Sequence, residues 1–208
     1  MYKVRSLSSK KWLKRHISDK YVNLAYNYGI RSRAHFKLSN IDSIVKLFRR
    51  GMTVIDLGCS PGSWSEYAIK KVGKTGCVIS CDILPMKPIK GVFFVRGNIR
   101  EPSFLNWFLI YLKNKRIDLV MSDMAPNMSG IDCIDHPRSI ELGLLALKIS
   151  EKILTNNGKF LVKTFCGEQF NELILEISAL FITVKVFKPS ASRMRSREIY
   201  IIAFGRKR

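Results

Sequence analysis

A chain of 208 residues, 47% of them hydrophobic, buries one sizeable core, which excludes two full domains and leaves one α/β domain with a short appendage. Its formal charge of +20, from 36 Lys and Arg against 16 Asp and Glu, implies a polyanionic partner, either nucleic acid or an anionic membrane surface. No window holds the roughly 18 consecutive apolar residues of a membrane span, and the lysine-rich start MYKVRSLSSKKW leads into no apolar segment, so a soluble, cytoplasmic protein without a membrane partner is expected.

Residues 1–12 show no hydrophobic periodicity and read as an arm, and 16–27 read as a short helix. Residues 33–48 read as an amphipathic helix, with Leu38, Ile41, Val45 and Phe48 at three- and four-residue spacing and Lys37 at the edge of the packed face. Residues 1–50 carry thirteen Lys or Arg against Asp19 and Asp42, interleaved with Trp12, Tyr21, Tyr26, Tyr28 and Phe36. Basic side chains mixed with aromatics suit a surface that contacts an RNA backbone. The chain therefore divides into a basic arm with helices over 1–50, packed on an α/β domain over 51–208.

From residue 52 onward strands and helices alternate. Apolar runs predict strands at 54–57, 77–82, 92–95, 117–121, 160–165, 182–187 and 199–204, and helices at 63–72, 103–112, 137–154 and 168–180. Pro137 suits the first turn of the third of these helices, and the pair Asn157 and Gly158 suits its stop. Strands separated by such helices build a mostly parallel sheet covered on both faces. Only 188–197 lie between the last two strands, too few residues for a crossover helix, so those two are expected as antiparallel neighbours.

The stretch VIDLGCSPGSW, 54–64, is a strand, a tight glycine loop and a helix start. Such a junction exposes backbone N–H groups and lets a ligand approach where a Cβ would block it. The spacing of Gly58 and Gly62 matches neither GxGxxG nor GxxxxGK, which disfavours a nicotinamide dehydrogenase or a nucleoside-triphosphate loop. Ligands in an open α/β sheet sit beyond the carboxyl ends of the parallel strands. Asp56 and the glycine loop end the first strand there, Asp82 ends the second, Asp123 follows the fourth and Lys163 lies late in the fifth. Glu198 precedes the antiparallel last strand, whose start lies at the same edge. Asp82, after a buried strand, either caps a turn or stands where the hydroxyls of a nucleoside ribose are bound. Lys163 puts a charge inside the apolar run FLVKTF and needs a carboxylate or a ligand beside it. Five cysteines in no CxxC pair, with three histidines, read as free thiols in a reducing compartment without a zinc site. Residues 185–208 carry eight basic residues against Glu198 alone, so the two ends hold 21 of the 36 basic residues and form one basic face if they meet.

The runs RSRAHFKL, DLGCSPGSW, SDMAPNMSG, LVKTF and KPSASRMRSREIYIIAFGRKR, in that order, resemble the FtsJ/RrmJ family of S-adenosylmethionine-dependent RNA ribose 2′-O-methyltransferases. Within it, the resemblance is to the branch acting on a uridine ribose of 23S ribosomal RNA in the large ribosomal subunit. It implies a Rossmann-like methyltransferase domain over 51–208, a seven-stranded sheet with an antiparallel last strand, and S-adenosylmethionine as cofactor. A catalytic tetrad in the order Lys, Asp, Lys, Glu is matched by Lys37, Asp123, Lys163 and Glu198. Cofactor contacts carry over to Asp56, Gly58, Pro61, Gly62, Trp64, Asp82 and Asp123. In VRGNIR, Asn98 replaces the family's aspartate, and its carbonyl oxygen can still accept from the adenine amino group. Ser63 replaces a commoner glycine, a change compatible with a helix N-cap. In this reading Lys163 binds and activates the 2′-oxygen, as base or as a cation facing the developing alkoxide, and Asp123 orients it. Lys37 and Glu198 position the ribose, and no metal is implied. Lys10, Lys11, Arg31, Arg33, Arg193, Arg195 and Arg197 are expected to meet phosphates around the target, with the protein acting as a monomer.

Other classes explain less. A transfer-RNA or cap ribose methyltransferase shares the same rim. A non-catalytic RNA-binding assembly factor accounts for the charge but not for Lys163 or the glycine loop, and a small-molecule methyltransferase accounts for the loop but not for the charge.

Overall fold

The computed structural model describes residues 18–167 and 169–207. The arm at 1–12, with Lys10 and Lys11, lies outside the described residues. Among the described residues two helices come first, α1 (Lys20–Asn27) and α2 (Ala34–Val45). They are followed by β1 (Thr53–Leu57), α3 (Ser63–Val72), β2 (Cys77–Asp82), β3 (Val92–Arg96), α4 (Pro102–Leu112) and β4 (Ile117–Ser122). The chain continues through α5 (Asp132–Ile153), β5 (Leu154–Phe165), α6 (Phe170–Leu180), β6 (Phe181–Phe187) and β7 (Glu198–Arg206).

The seven strands form one sheet in the order β3-β2-β1-β4-β5-β7-β6. Pairs from β3 to β5 are parallel, and β7 enters antiparallel between β5 and β6. From β1 the chain steps outward to β2 and β3, then returns through α4 to β4 on the other side of β1 and continues outward to β5, so the loops after β1 and β4 diverge above the switch in strand order.

Strand alternation splits the core into two layers. Ile55, Leu57, Val120, Phe160 and Val162 face α4, α5 and α6. Val54, Leu119, Met121, Leu161 and Tyr200 face α2 and α3, where Leu38 and Ile41 are fully buried. Burying each of those two α2 side chains contributes about 1.5–3 kcal/mol, which holds α2 on the sheet. Among the described residues no helix is long and apolar enough to cross a membrane.

Two helix signals act differently from their expectation. Pro137 does not open α5, which begins at Asp132 and carries Pro137 in its interior. The earlier start is set by Asp135, whose carboxylate accepts from the Ser129 amide (2.9 Å), the Ser129 hydroxyl (2.9 Å) and the Gly130 amide (2.9 Å). Asp132 and Asp135 in the first turn also complement the helix dipole. The pair Asn157 and Gly158 does not stop α5, since β5 begins at Leu154 directly after the helix. Asn157 instead takes a left-handed φ of 64° where the pairing with β4 shifts, Ile117 opposing Leu154 and Leu119 opposing Lys159. Asparagine tolerates that conformation better than most residues, so the same side chain serves a strand irregularity as well as a helix end.

Candidate active site

Strand register assembles most of the site. Phe165 opposes Glu198 and Lys163 opposes Tyr200 across β5 and β7. Residues two apart on a strand face the same side, so Lys163, Glu198 and Tyr200 project together from the face that α2 covers. From α2, Lys37 donates to Glu198 Oε2 at 2.6 Å. Asp123 follows Ser122 at the end of β4, beside β5, and Lys163 Nζ lies 3.0 Å from its Oδ1 and donates to its carbonyl at 2.5 Å.

The two ion pairs are joined by a phenol. Tyr200, fully buried, donates to Asp123 Oδ1 at 3.1 Å. Burial first, and then the charges of Asp123 and Glu198, raise its pKa well above the ordinary tyrosine value. Tyr200 therefore stays a neutral donor. The second oxygen of Glu198 accepts from the Ser192 hydroxyl at 2.8 Å. Lys163 and Glu198 are each only 8% exposed, so deleting either partner of a pair would leave a charge uncompensated, a loss of about 3–5 kcal/mol.

Beside this cluster lies a cleft of about 360 Å³ whose walls include Gly58, Ser60, Asp82, Asn98, Asp123 and Met124. Gly58 lines this cleft, whereas Gly62, also expected at the cofactor, packs beside it against Met86 and Ile89. Gly58 has φ 74°, and a Cβ there would come within 2.6 Å of Met124 Cγ. Gly62 has φ 103°, and a Cβ there would come within 2.7 Å of Met86 Sδ. The Asp82 carboxylate accepts from the Ser60 amide (2.8 Å) and the Leu84 amide (2.9 Å), which fixes it at the end of β2 with lone pairs to spare for a ligand. Asn98 accepts from the Arg100 amide at 3.1 Å and donates to Glu101 at 3.2 Å. Its oxygen keeps a second lone pair. An anchored carboxylate for vicinal hydroxyls, an amide for a purine edge and a loop opened by Gly58 together fit S-adenosylmethionine.

Three further residues expected at the cofactor, two of them buried and one exposed, do not line the cleft. Asp56 is fully buried, accepts from Ser65 Oγ at 2.6 Å, and has no partner for Oδ1 among the described residues. Burial, reinforced by the charges of Asp123 and Asp82 and opposed by the Ser65 hydrogen bond, pushes its pKa up to about 7. Trp64 is 2% exposed, donates to the Ala34 carbonyl at 3.0 Å and packs against the Tyr200 ring at 5.8 Å. Pro61 turns its carbonyl outward to Arg31 at 3.0 Å. Ser63 is not the N-cap of α3. Gly62 takes that position without a side-chain bond, and Ser63 Oγ instead lies 2.7 Å from Ser32 Oγ.

The described parts of the two basic ends meet. Asp19 binds Arg33 at 2.8 Å and Arg193 at 3.1 Å, Arg33 also donates to the Ala191 carbonyl, and Asn40 accepts from Ser190 and Ala191. These contacts fasten the N-terminal helices to the loop at 188–197. The arginines differ in what they leave free. Arg33 is largely enclosed, Arg197 pairs with exposed Asp132 at 2.9 Å, and Arg195 is exposed with no hydrogen bond or ion pair among the described residues.

Sequence reasoning missed Tyr200, Ser192 and Asp135. Tyr200 carried a usable signal, since it lies two residues from Glu198 and must share its face. Ser192 carried none, because loop hydroxyls are common and only the folded loop aims this one at Glu198.

Residues 30–206 match the family described as FtsJ-like methyltransferase. The chain is 52% identical to the ribosomal RNA large subunit methyltransferase E of Buchnera aphidicola subsp. Baizongia pistaciae (strain Bp), with all of both chains covered. Among solved structures it is similar to a ribosomal RNA methyltransferase from Plasmodium falciparum, with TM-score 0.75 and 30% identity over 85% of this chain and 98% of that one. Human methyltransferase-like protein 13 in complex with SAH shares the fold, with TM-score 0.56 and 12% identity over 80% of this chain and 79% of that one.

Proposed function

The chain belongs to the FtsJ-like methyltransferases and uses S-adenosylmethionine, and from that premise we propose that it methylates the 2′-hydroxyl of a uridine ribose in 23S ribosomal RNA of the large subunit. The observation that carries this reading is Asp123, which lines the cofactor cleft and at the same time holds Lys163. Cofactor and nucleophile sites thus share one carboxylate.

When bound, the cofactor supplies a methyl group already activated on a sulfonium, and its departing sulfur is neutral. What remains for the protein is to align the ribose oxygen, stabilise its developing charge and let the 2′-hydroxyl proton leave to solvent as the O–CH3 bond forms and the S–CH3 bond breaks. Lys163 directs two of its three ammonium hydrogens to Asp123, which leaves one for the 2′-oxygen. Asp123 fixes that ammonium against the end of β4. Lys37 and Glu198, 2.6 Å apart, and Tyr200 between the pairs hold the arrangement before substrate arrives, so little reorganisation is needed at the moment of transfer. Asp82 and Asn98 would hold the ribose and adenine of the cofactor. Around the rim, Arg193, Arg195 and Arg197 would bind flanking phosphates. Every group of the tetrad comes from one chain, which supports action as a monomer.

The test is transfer of a labelled methyl group from S-adenosylmethionine to large subunits from a strain lacking the activity, followed by mapping. Label on one uridine 2′-oxygen of 23S RNA is expected. Label on a base, or none on subunits, would overturn the reading.

A further inference from the structure

We propose that Arg31 is a positioning residue of the cofactor loop and makes no phosphate contact, an inference that rests on the methyltransferase reading above. Its guanidinium is already engaged. NH1 donates to the Pro61 carbonyl at 3.0 Å and the Lys87 carbonyl at 2.9 Å, NH2 donates to the Pro88 carbonyl at 2.9 Å, and Nε lies 3.9 Å from Glu66. The side chain is 23% exposed.

The three acceptors belong to the two segments that wall the cleft. Pro61 follows Ser60, and Lys87 and Pro88 follow Asp82 to Leu84. On the inner side these segments are joined by the Ser60 amide on Asp82, by Ser60 Oγ on the Pro85 carbonyl at 3.2 Å, and by Gly62 seated against Met86 and Ile89. Arg31 closes the same pair from outside. A planar guanidinium can serve several carbonyls at once with fixed geometry, whereas a lysine ammonium is a point charge on a flexible stem.

The neighbours of Arg31 continue the seam. Ser32 bonds Ser63, and the Ala34 carbonyl accepts from Trp64. The segment that starts α2, and with it Lys37, is therefore stitched to the cofactor loop at three points. Removing the Arg31 stitch leaves the carbonyls to water and lets the loop relax away from Asp82.

Arg31→Ala, Arg31→Lys and Arg31→Gln are compared by calorimetric titration with S-adenosylmethionine in the absence of RNA. The salt dependence of binding to a 23S RNA fragment is measured in parallel. Loss of the clamp raises the cofactor Kd about tenfold in the alanine variant, with no rescue by lysine. The salt slope stays at the wild-type value. Glutamine, which keeps two donors, gives an intermediate Kd and carries the test if the alanine variant fails to fold. A cofactor Kd within about twofold of wild type in the folded variants would overturn the inference. So would rescue by lysine together with a salt slope lowered in Arg31→Ala by about 0.7–0.9, the mark of one lost phosphate contact. Methyl transfer by the wild-type chain is assayed alongside. Its absence would remove the proposed substrate, while the cofactor titration would still decide the role of Arg31.

Discussion

A hydroxyl from Tyr200 and an ammonium from Lys163 converge on one carboxylate oxygen of Asp123, although the three residues lie on three different strands or strand ends. Lys163→Ala should lower methyl transfer by at least about 10²-fold while the calorimetric Kd for S-adenosylmethionine stays within about twofold. Near-normal turnover would remove Lys163 from the chemistry. Asp56 yields a pH prediction. Its folded-state pKa of about 7 lies above the ordinary 3.8, so the neutral carboxyl contributes stability that is fully present below about pH 4 and is lost as pH rises through about 7. Asp56→Asn stays neutral, so its melting temperature should gain on wild type by several degrees between about pH 4 and pH 8. A constant difference would show that Asp56 does not titrate there. Lys163 was legible in the sequence because a charge in an apolar strand demands a partner. Arg31 was legible only as charge, since backbone carbonyl acceptors leave no mark on residue identity. The orphan oxygen of Asp56 was equally hidden, because a strand-end aspartate reads alike whether buried or at a rim.

The pairing of α2 with α3 turns on Asp42. Its carboxylate accepts from the Leu47 and Phe48 amides just past the end of α2, and from Tyr67 and Lys71 on α3. Burial alone would raise its pKa, but the hydrogen bonds from Tyr67, Lys71 and Phe48 outweigh burial and hold it below the ordinary carboxylate value. The stability it contributes is present above about pH 4 and is lost as pH falls through the lowered folded value. Asp42→Asn should therefore destabilise by about 2 kcal/mol at neutral pH, and the gap to wild type should narrow in acid, read by denaturant unfolding at several pH values. A gap independent of pH would mean that the carboxylate charge is not what α3 recognises. Periodicity and turn residues located nearly every element, because the strands are apolar runs and the helices amphipathic. Pro137 and Asn157 misled because each has two permitted uses, and the choice was made by contacts remote in sequence, through Asp135 for the helix start and through pairing with β4 for the strand.

Across the described residues, Asp19 and Asn40 draw the N-terminal helices onto the loop before β7, which brings Arg33 and Arg193 together at one carboxylate. RNA affinity should fall steeply with salt, and Arg195→Gln should lower the slope of log K against log salt by about 0.7–0.9 with cofactor affinity unchanged. An unaltered slope would exclude Arg195 from the RNA surface. The placement of β7 also sets an order in time. Lys37, Asp123 and Lys163 are synthesised first, while Glu198 and Tyr200 follow Lys163 by about 35 residues. At roughly 5–20 residues per second that is an interval of about 2–7 s. During it β5 is an open edge, Lys37 lacks its carboxylate and Asp123 lacks its phenol. A chain still being translated therefore carries most of the site without a working one. It becomes competent toward ribosomal RNA only when the strand made last slides between two made earlier.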